Sequence, residues 1–342
     1  MTSLVRRRDL LRIGMGATGG ALGAILTRRA RAEVLPGAAE AAPAAGAHPA
    51  GHAMPAPAFH SAYGGHAEPP SQLQAGALDG LLRPPPFVAG PPGRVREIDL
   101  WVNEQPIEVA QHVRFDAWTY NGSVPGPVLR ATEGDELLIR FRNLGMHPHN
   151  VHFHGRHGVS QDGWQPIPVG ATETYRLRAG PFGLHPYHCH AAPVSEHVAK
   201  GLYGTLIVDP PGGRPPAHEF VLVLCGFDLD GDGVNDLYAW NGVAGFFARF
   251  PIKVPVGELA RVYLVNMVAR DPVASFHLHA ETFDVYRTGT RLEPDENTDV
   301  VTLSQAERAI VEFRLPERGR YMFHPHQAHM AERGAMGWFA AV

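Results

Sequence analysis

Four pairs of histidines in this chain, the two members of each separated by one residue, fall at matching points of an internal repeat. The pairs are His152/His154, His188/His190, His277/His279 and His324/His326. In an extended strand residues i and i+2 point to one face, so each pair sets two imidazoles side by side. Around the pairs, GDELLIRFRN (134–143) is echoed by GELARVYLVN (257–266). YRLRAGPFGLHPYHCH (175–190) matches VEFRLPERGRYMFHPH (311–326) without a gap, and GLYGTLIV (201–208) matches GAMGWFAA (334–341). The chain therefore reads as two copies of one β fold.

Composition agrees. Gly (38) and Pro (31) make about a fifth of the 342 residues, against roughly 12% as background. Long helices tolerate that poorly, while short strands joined by turns suit it. Strand-like runs recur at 95–102, 107–115, 136–142, 172–178 and 203–209. Turn signals such as Asn121-Gly122, Pro125-Gly126 and Glu133-Gly134-Asp135 separate them. This predicts an all-β protein of two tandem domains, 94–212 and 213–342, each a sandwich or a Greek-key barrel, parted at Pro210-Pro211-Gly212-Gly213. A hydrophobic content of 44% excludes a wholly disordered chain. A net charge of −4, with no long basic run outside the leader, argues against nucleic acid as a partner. Two cysteines cannot make a disulfide framework.

Residues 1–32 read as a signal peptide: Arg6, Arg7 and Arg8, a mildly apolar stretch over 10–26, then Ala30-Arg31-Ala32 as the cleavage site. Arg7-Arg8-Asp9-Leu10-Leu11 resembles the twin-arginine export signal. The stretch is short and carries Arg12, so it reads as an export signal rather than an anchor, and no other segment could span a bilayer. The expected location is periplasmic or extracellular. Residues 33–93, rich in Ala, Pro, Gly and His, read as a flexible segment. Its His48, His52, Met54, His60 and His66 are taken as a polar tail rather than a copper collector.

Imidazole suits copper, zinc, iron and nickel. Cys189 lies between His188 and His190, so alternation sends its sulfur to the opposite face. A thiolate with two imidazoles and a weak axial ligand is the blue-copper set. The two imidazoles are assigned to His149 and His197, and the axial position falls at Leu202, which cannot ligate. A missing axial ligand raises the reduction potential. Cys189 and its two neighbours would tie this site to others on the order of a dozen ångströms away, through covalent bonds.

The stretches HNVHFHG (149–155), HCH…H (188–197), HLH (277–279) and HPH (324–326) resemble the copper motifs of multicopper oxidases. TYNGSVPGPVLRATEGDELLIRFRN (119–143) is similar to that family's first-domain segment. The likeness covers 94–342, and with two domains it resembles the two-domain laccases and, by fold, the copper nitrite reductases. It implies two tandem cupredoxin-like barrels and four coppers per chain. It implies His149, Cys189 and His197 as type 1 ligands and His152 and His277 as type 2 ligands. It implies His154, His188, His190, His279, His324 and His326 around the type 3 pair. It further implies that a phenolic or similar small donor is oxidised at type 1 while O2 is reduced to water at the three-copper cluster. That cluster is expected between the first domain of one subunit and the second of the next, in a homotrimer.

The chain departs from the pattern at Pro325 and Ala335, so the second domain is expected to lack a type 1 copper. Nitrite reductases of this fold hold one type 2 copper with three histidines and an aspartate nearby. Here the aspartate's position is His152, and His190 stands where small residues are usual. The eight imidazoles therefore favour O2 over nitrite, and over a copper-binding or storage role. Asp116, Asp162 and Glu281 are the candidate proton carriers. Cys225 is taken as a buried apolar side chain, and Asp228–Gly233 as a plain acidic loop, since Ala239 stands where a calcium loop needs Glu. His147, His157, His185 and His329 are assigned no ligand role. The absence of a Met-rich insertion favours organic donors over cuprous ion.

Overall fold

The computed structural model describes residues 67–342. The expected leader and the histidines of residues 48–66 lie outside that range. Among the described residues no helix is long and apolar enough to cross a membrane.

Nineteen strands form four sheets. The first barrel holds β1 (Val95–Ala110), β2 (Val113–Tyr120), β3 (Val128–Thr132), β4 (Glu136–Asn143), β5 (His152–Phe153), β6 (Thr172–Arg178), β7 (Gly183–His188) and β8 (Tyr203–Asp209). Its sheets run β2-β1-β4-β6 and β3-β8-β7-β5. The second barrel holds β9 (His218–Phe227), β10 (Leu237–Trp240), β11 (Ile252–Val254), β12 (Leu259–Asn266), β13 (Val273–Leu278) and β14 (Phe283–Arg287). It continues with β15 (Glu296–Thr298), β16 (Val300–Ser304), β17 (Arg308–Arg314), β18 (Gly319–His324) and β19 (Gly337–Ala341). Its sheets run β10-β9-β12-β17-β14-β15 and β11-β19-β18-β13-β16.

The repeat in sequence is a repeat in pairing. β1 runs parallel to β4 as β9 does to β12, and β3 runs parallel to β8 as β11 does to β19. Across β7 and β8, Tyr187 faces Gly204; across β18 and β19, Phe323 faces Gly337. A Cβ at either glycine would strike the facing ring, so glycine is required at both points by close approach. The pairs that matter are His152 opposite His188 and His277 opposite His324. Each brings one HxH face against another.

β4 alternates buried and part-exposed positions, as one solvated face demands, whereas β8 is buried along its whole length and is nearly continuously apolar. Each barrel has its own apolar core, and a third cluster joins them, packing Val109, Phe115, Leu184 and Ile207 against Val221, Tyr263 and Ile310. The joint also carries ions. Arg130 donates to Asp209 (2.7 Å) and to Glu219 (2.7 Å), and Tyr263 donates to Glu219 (2.6 Å).

Two expectations are corrected. The run 107–115 is not one strand: β1 extends to Ala110, and the chain turns at Gln111 and His112, whose φ is +62°. The alternation continues across that turn without Gly or Pro, so the sequence does not mark it. Residues 67–93, read as flexible, are seated on the barrels. Leu82, in a short helix α1 (Asp79–Leu82), packs into the second core, and the Phe87 ring lies under Arg96 and Arg130. Ala67, Leu73 and Leu78 also pack on the cores, and Gln72 donates to Glu108, so a segment with the composition of a linker is docked at several points.

Candidate metal centre

Cys189 leaves the end of β7 with its sulfur turned into the barrel, fully buried. A short helix α2 (Val194–Ala199) then returns His197 beside it, with His197 Nδ1 3.2 Å from Cys189 Sγ. His149, just before β5, closes the set with its Nδ1 3.1 Å from His197 Nδ1. One ligand atom from each of the three lies within 4.8 Å of the others. Leu202 is buried in the same core and donates its N–H to His197 O at 3.2 Å.

Burial lowers the pKa of His149, although Glu104 opposes this, and brings His197 down to about 4. Both rings are neutral and keep a lone pair. Burial also pushes the Cys189 thiol up to about 11, and Cys189 Sγ donates to Asn150 Oδ1 at 3.3 Å. Only a bound cation would make that sulfur a thiolate at neutral pH.

The paired histidines form two quartets. In the first, His154 Nε2 faces His188 Nε2 at 3.1 Å; in the second, His279 Nε2 faces His324 Nε2 at 2.9 Å. The opposite nitrogens are tied to backbone carbonyls. His152 Nδ1 donates to Asp162 O (2.9 Å) and His188 Nδ1 to Cys189 O (2.9 Å). His277 Nδ1 donates to Asp299 O (2.7 Å) and His324 Nδ1 to Pro325 O (2.8 Å). With Nδ1 carrying the proton, Nε2 of these rings presents a lone pair inward. Burial first, then neighbouring histidines or, for His188 and His324, a backbone carbonyl that partly opposes it, bring His154 down to about 3 and His188 to about 4, and lower His279 and His324. The facing Nε2 atoms of each pair lie about 3 Å apart. Two ligands at roughly 2.0–2.1 Å from one cation have about that separation. The donor sets fit metal ions of the kind that take imidazole and thiolate. Copper is one of these.

His190 and His326 complete the quartets on the outer side, with ring centroids 5.6 Å from His152 and 5.3 Å from His277. In the first quartet His190 is exposed and His188 buried; in the second, His279 and His326 are exposed and His277 and His324 half-buried. Among the described residues no ring of one quartet packs on a ring of the other.

Of the three carboxylates singled out, only Asp162 reaches a quartet. Its Oδ1 lies 3.3 Å from His152 Nδ1 and 3.0 Å from His157 Nε2. Asp116 is exposed on β2, and the Glu281 carboxylate accepts from the Thr282 N–H. Cys225 is buried, as expected of an apolar side chain. The acidic loop turns its carboxylates onto its own backbone, Asp228 accepting from Gly231 and Gly233. His185 donates to Pro181 O, and His329 is exposed against Asp271. The sequence reading missed three neighbours of the first set. Asn150 accepts from His190 N–H (2.7 Å) as well as from Cys189. Trp118 lies edge-on to both His149 and His197, and Glu104 touches His149.

Two tandem Greek-key barrels carrying a His–Cys–His set and two histidine quartets define a copper protein of the cupredoxin-like class. The chain belongs to the multicopper oxidase family, whose models match residues 102–213 and 227–342. A crystal structure of a multicopper oxidase is 43% identical and superposes with a TM-score of 0.74, covering 77% of this chain and 96% of that one. A blue copper oxidase from Nitrosomonas europaea is 27% identical with a TM-score of 0.66, covering 72% of this chain and 86% of the other. A copper-containing nitrite reductase from Neisseria gonorrhoeae is 32% identical over 277 residues, 74% of this chain and 70% of the relative. The chain is thus an oxidoreductase of copper chemistry.

Proposed function

We propose that this protein is a laccase-like oxidase that couples oxidation of a phenolic or similar organic donor to reduction of O2 to water. One observation carries the reading: eight imidazoles in two quartets, with carbonyls on Nδ1 of His152, His188, His277 and His324 turning the Nε2 atoms of those rings inward. A single mononuclear site beside the blue centre would use three or four ligands; three ions use eight. Four coppers per chain are expected. His149, Cys189 and His197 would hold type 1. His152 and His277 would hold type 2. The remaining six, His154, His188, His190, His279, His324 and His326, would hold the type 3 pair. When bound, copper supplies one-electron steps from the donor and a four-electron reduction of O2.

The chain's own groups do the rest. Cys189 shares a backbone with His188 and His190, so the first site is bonded directly to the first quartet. Asn150 holds Cys189 Sγ and His190 N–H on one oxygen, fixing that link. Asp162 Oδ1, open to solvent and beside His152 and His157, holds protons for the four that O2 reduction consumes. The exposed second quartet is half a site. A ring of three copies would bring it against the first quartet of a neighbour, a heterologous contact that closes. The first barrel (94–212) would then supply type 1 and half the cluster, and the second (213–342) the other half. Export through a twin-arginine signal would place the folded enzyme outside the cytoplasm.

The deciding experiment is a metal count with electron paramagnetic resonance on purified protein, plus O2 uptake with a phenol and nitrite turnover with a reductant. Four coppers per chain and O2 uptake are expected. Two coppers per chain with nitrite converted to NO make it a nitrite reductase; zinc ends the copper reading. Replacing Asp162 by Asn should lower turnover about 10²-fold and shift its pH profile.

A further inference from the structure

Among the described residues, the carboxylate of Glu104 is the acidic group that touches the His–Cys–His set. It lies on β1, far from the ligands in sequence, and its side chain is only 4% exposed. Its Oε1 accepts from His149 Nε2 at 3.0 Å, from Met146 N–H at 2.7 Å and from His147 N–H at 2.9 Å. Its Oε2 accepts from His147 Nδ1 at 2.9 Å. No arginine or lysine pairs with it among the described contacts.

The seat is built for that carboxylate. A Cβ at Gly145 would fall 2.8 Å from Glu104 Oε1 and 3.1 Å from the His149 ring, so this position must be bare for the two to meet. Trp118 closes the other side. It stacks on His147 at 4.9 Å and meets His149 at 5.0 Å and His197 at 4.7 Å edge-on. The segment from Gly145 to His149 is thereby clamped onto β1 by one charged side chain. The second barrel has Ala274 in place of His149, so nothing there needs such a clamp.

We infer that Glu104 is a positioning residue of the type 1 centre: by taking the Nε2 proton of His149 it reserves Nδ1 for the metal, and its buried charge stabilises the oxidised ion. This rests on the type 1 assignment proposed above. The physical reason is general. A carboxylate on the far nitrogen fixes the tautomer and makes the ligand more basic, and a nearby negative charge favours the higher oxidation state. Glu104 therefore acts against Leu202, whose missing ligation raises the potential, and the two together set it.

The test is the reduction potential of the copper-loaded protein, followed by the thiolate-to-copper absorption band. Glu104→Gln keeps the shape and an acceptor oxygen but loses the charge. It should keep the band and raise the potential by about 60 mV, a tenfold shift toward Cu(I). Glu104→Ala should lose copper from this site about 10–100-fold more readily. Nitrogen NMR of the Cu(I) form should find the His149 proton on Nε2 in the native protein. Glu108→Gln, an exposed carboxylate further along the same strand, should change none of these. A Gln variant with native potential, or a His149 proton on Nδ1, overturns the inference while the blue centre stands. A native protein without the band overturns the type 1 assignment itself.

Discussion

The two barrels carry the same quartet on the same scaffold, yet only one carries a His–Cys–His set. Asn150 Oδ1 accepts His190 N–H at 2.7 Å, and Ser275 Oγ accepts His326 N–H at 2.8 Å. His154 N–H donates to Pro186 O as His279 N–H donates to Met322 O. Leu202 N–H donates to His197 O, and Ala335 N–H to Met330 O, so Met330 stands where His197 does. The second barrel thus has Ala274, Pro325, Met330 and Ala335 for His149, Cys189, His197 and Leu202. Ala274, Met330 and Ala335 are buried in its apolar core beside Phe276 and Phe323. A quartet needs only alternation and carbonyl anchors, which any paired strand supplies. The thiolate site needs polar side chains inside a core, and an apolar filling is the easier solution there.

The strongest test of this contrast is Cys189→Ser. Blue absorption should vanish and O2 uptake with a phenol should fall by about 10³-fold or more, because the link between donor site and cluster is cut. Metal analysis should still find three coppers. The converse change, Pro325→Cys, should create no blue band, since Ala274 and Met330 offer it no imidazole. A band there would break the comparison.

The next effect separates the two anchors. Asn150→Ala removes the acceptor of both Cys189 and His190, while Ser275→Ala removes that of His326 and an exchangeable donation to the half-buried Gln327 Oε1. Denaturant titration should place the loss at about 1–3 kcal/mol for Asn150 and nearer the lower end for Ser275. Turnover should fall further in the Asn150 variant. Equal losses would mean that Asn150 has no additional role at the sulfur.

The quartets were legible because two physical rules act locally. Alternation puts i and i+2 on one face, and the repeat says which faces meet; His152 does sit opposite His188 and His277 opposite His324. Cys189 could be assigned to the other face by the same rule. Glu104 was not legible, because it reaches His149 from a strand 45 residues earlier, and no spacing records a contact of that kind. Trp118 and Asn150 were missed for related reasons: one arrives from β2, and the other acts through hydrogen bonds that composition does not show. Asp162 was one of three equal candidates until the fold put its carboxylate beside His152.

The joint between the barrels should respond to pH through Glu219. Burial opposes ionisation of Glu219, but Arg130, Tyr263 and Arg261 outweigh it and hold its pKa below the ordinary value. The folded value is depressed, so the stabilisation is complete above the unfolded pKa of about 4.3 and is lost as pH falls through the lower folded value. Thermal melts should therefore show Tm falling below about pH 4. Glu219→Gln should lower stability by about 1–3 kcal/mol at neutral pH and flatten that fall. A variant that melts like the native protein at pH 7 would mean that the apolar cluster alone holds the barrels together.

The smallest effect tests whether Leu202 and Ala335 are equivalent places in unequal barrels. Leu202→Met is nearly volume-conserving, so the core should tolerate it for less than about 1.5 kcal/mol. It would put a thioether where the first barrel has no axial donor. A soft fourth ligand favours the oxidised blue centre, and the potential should fall by about 60 mV, one decade in the Cu(II)/Cu(I) preference. Ala335→Met inserts the same group beside Trp240, whose indole N–H donates to Ala335 O. With no metal set to meet, it should leave the visible spectrum and potential unchanged and cost stability by overpacking, about 1–3 kcal/mol. If Leu202→Met left the potential where it was, the side chain at that position would not be facing the metal, and the His–Cys–His set would have to open elsewhere.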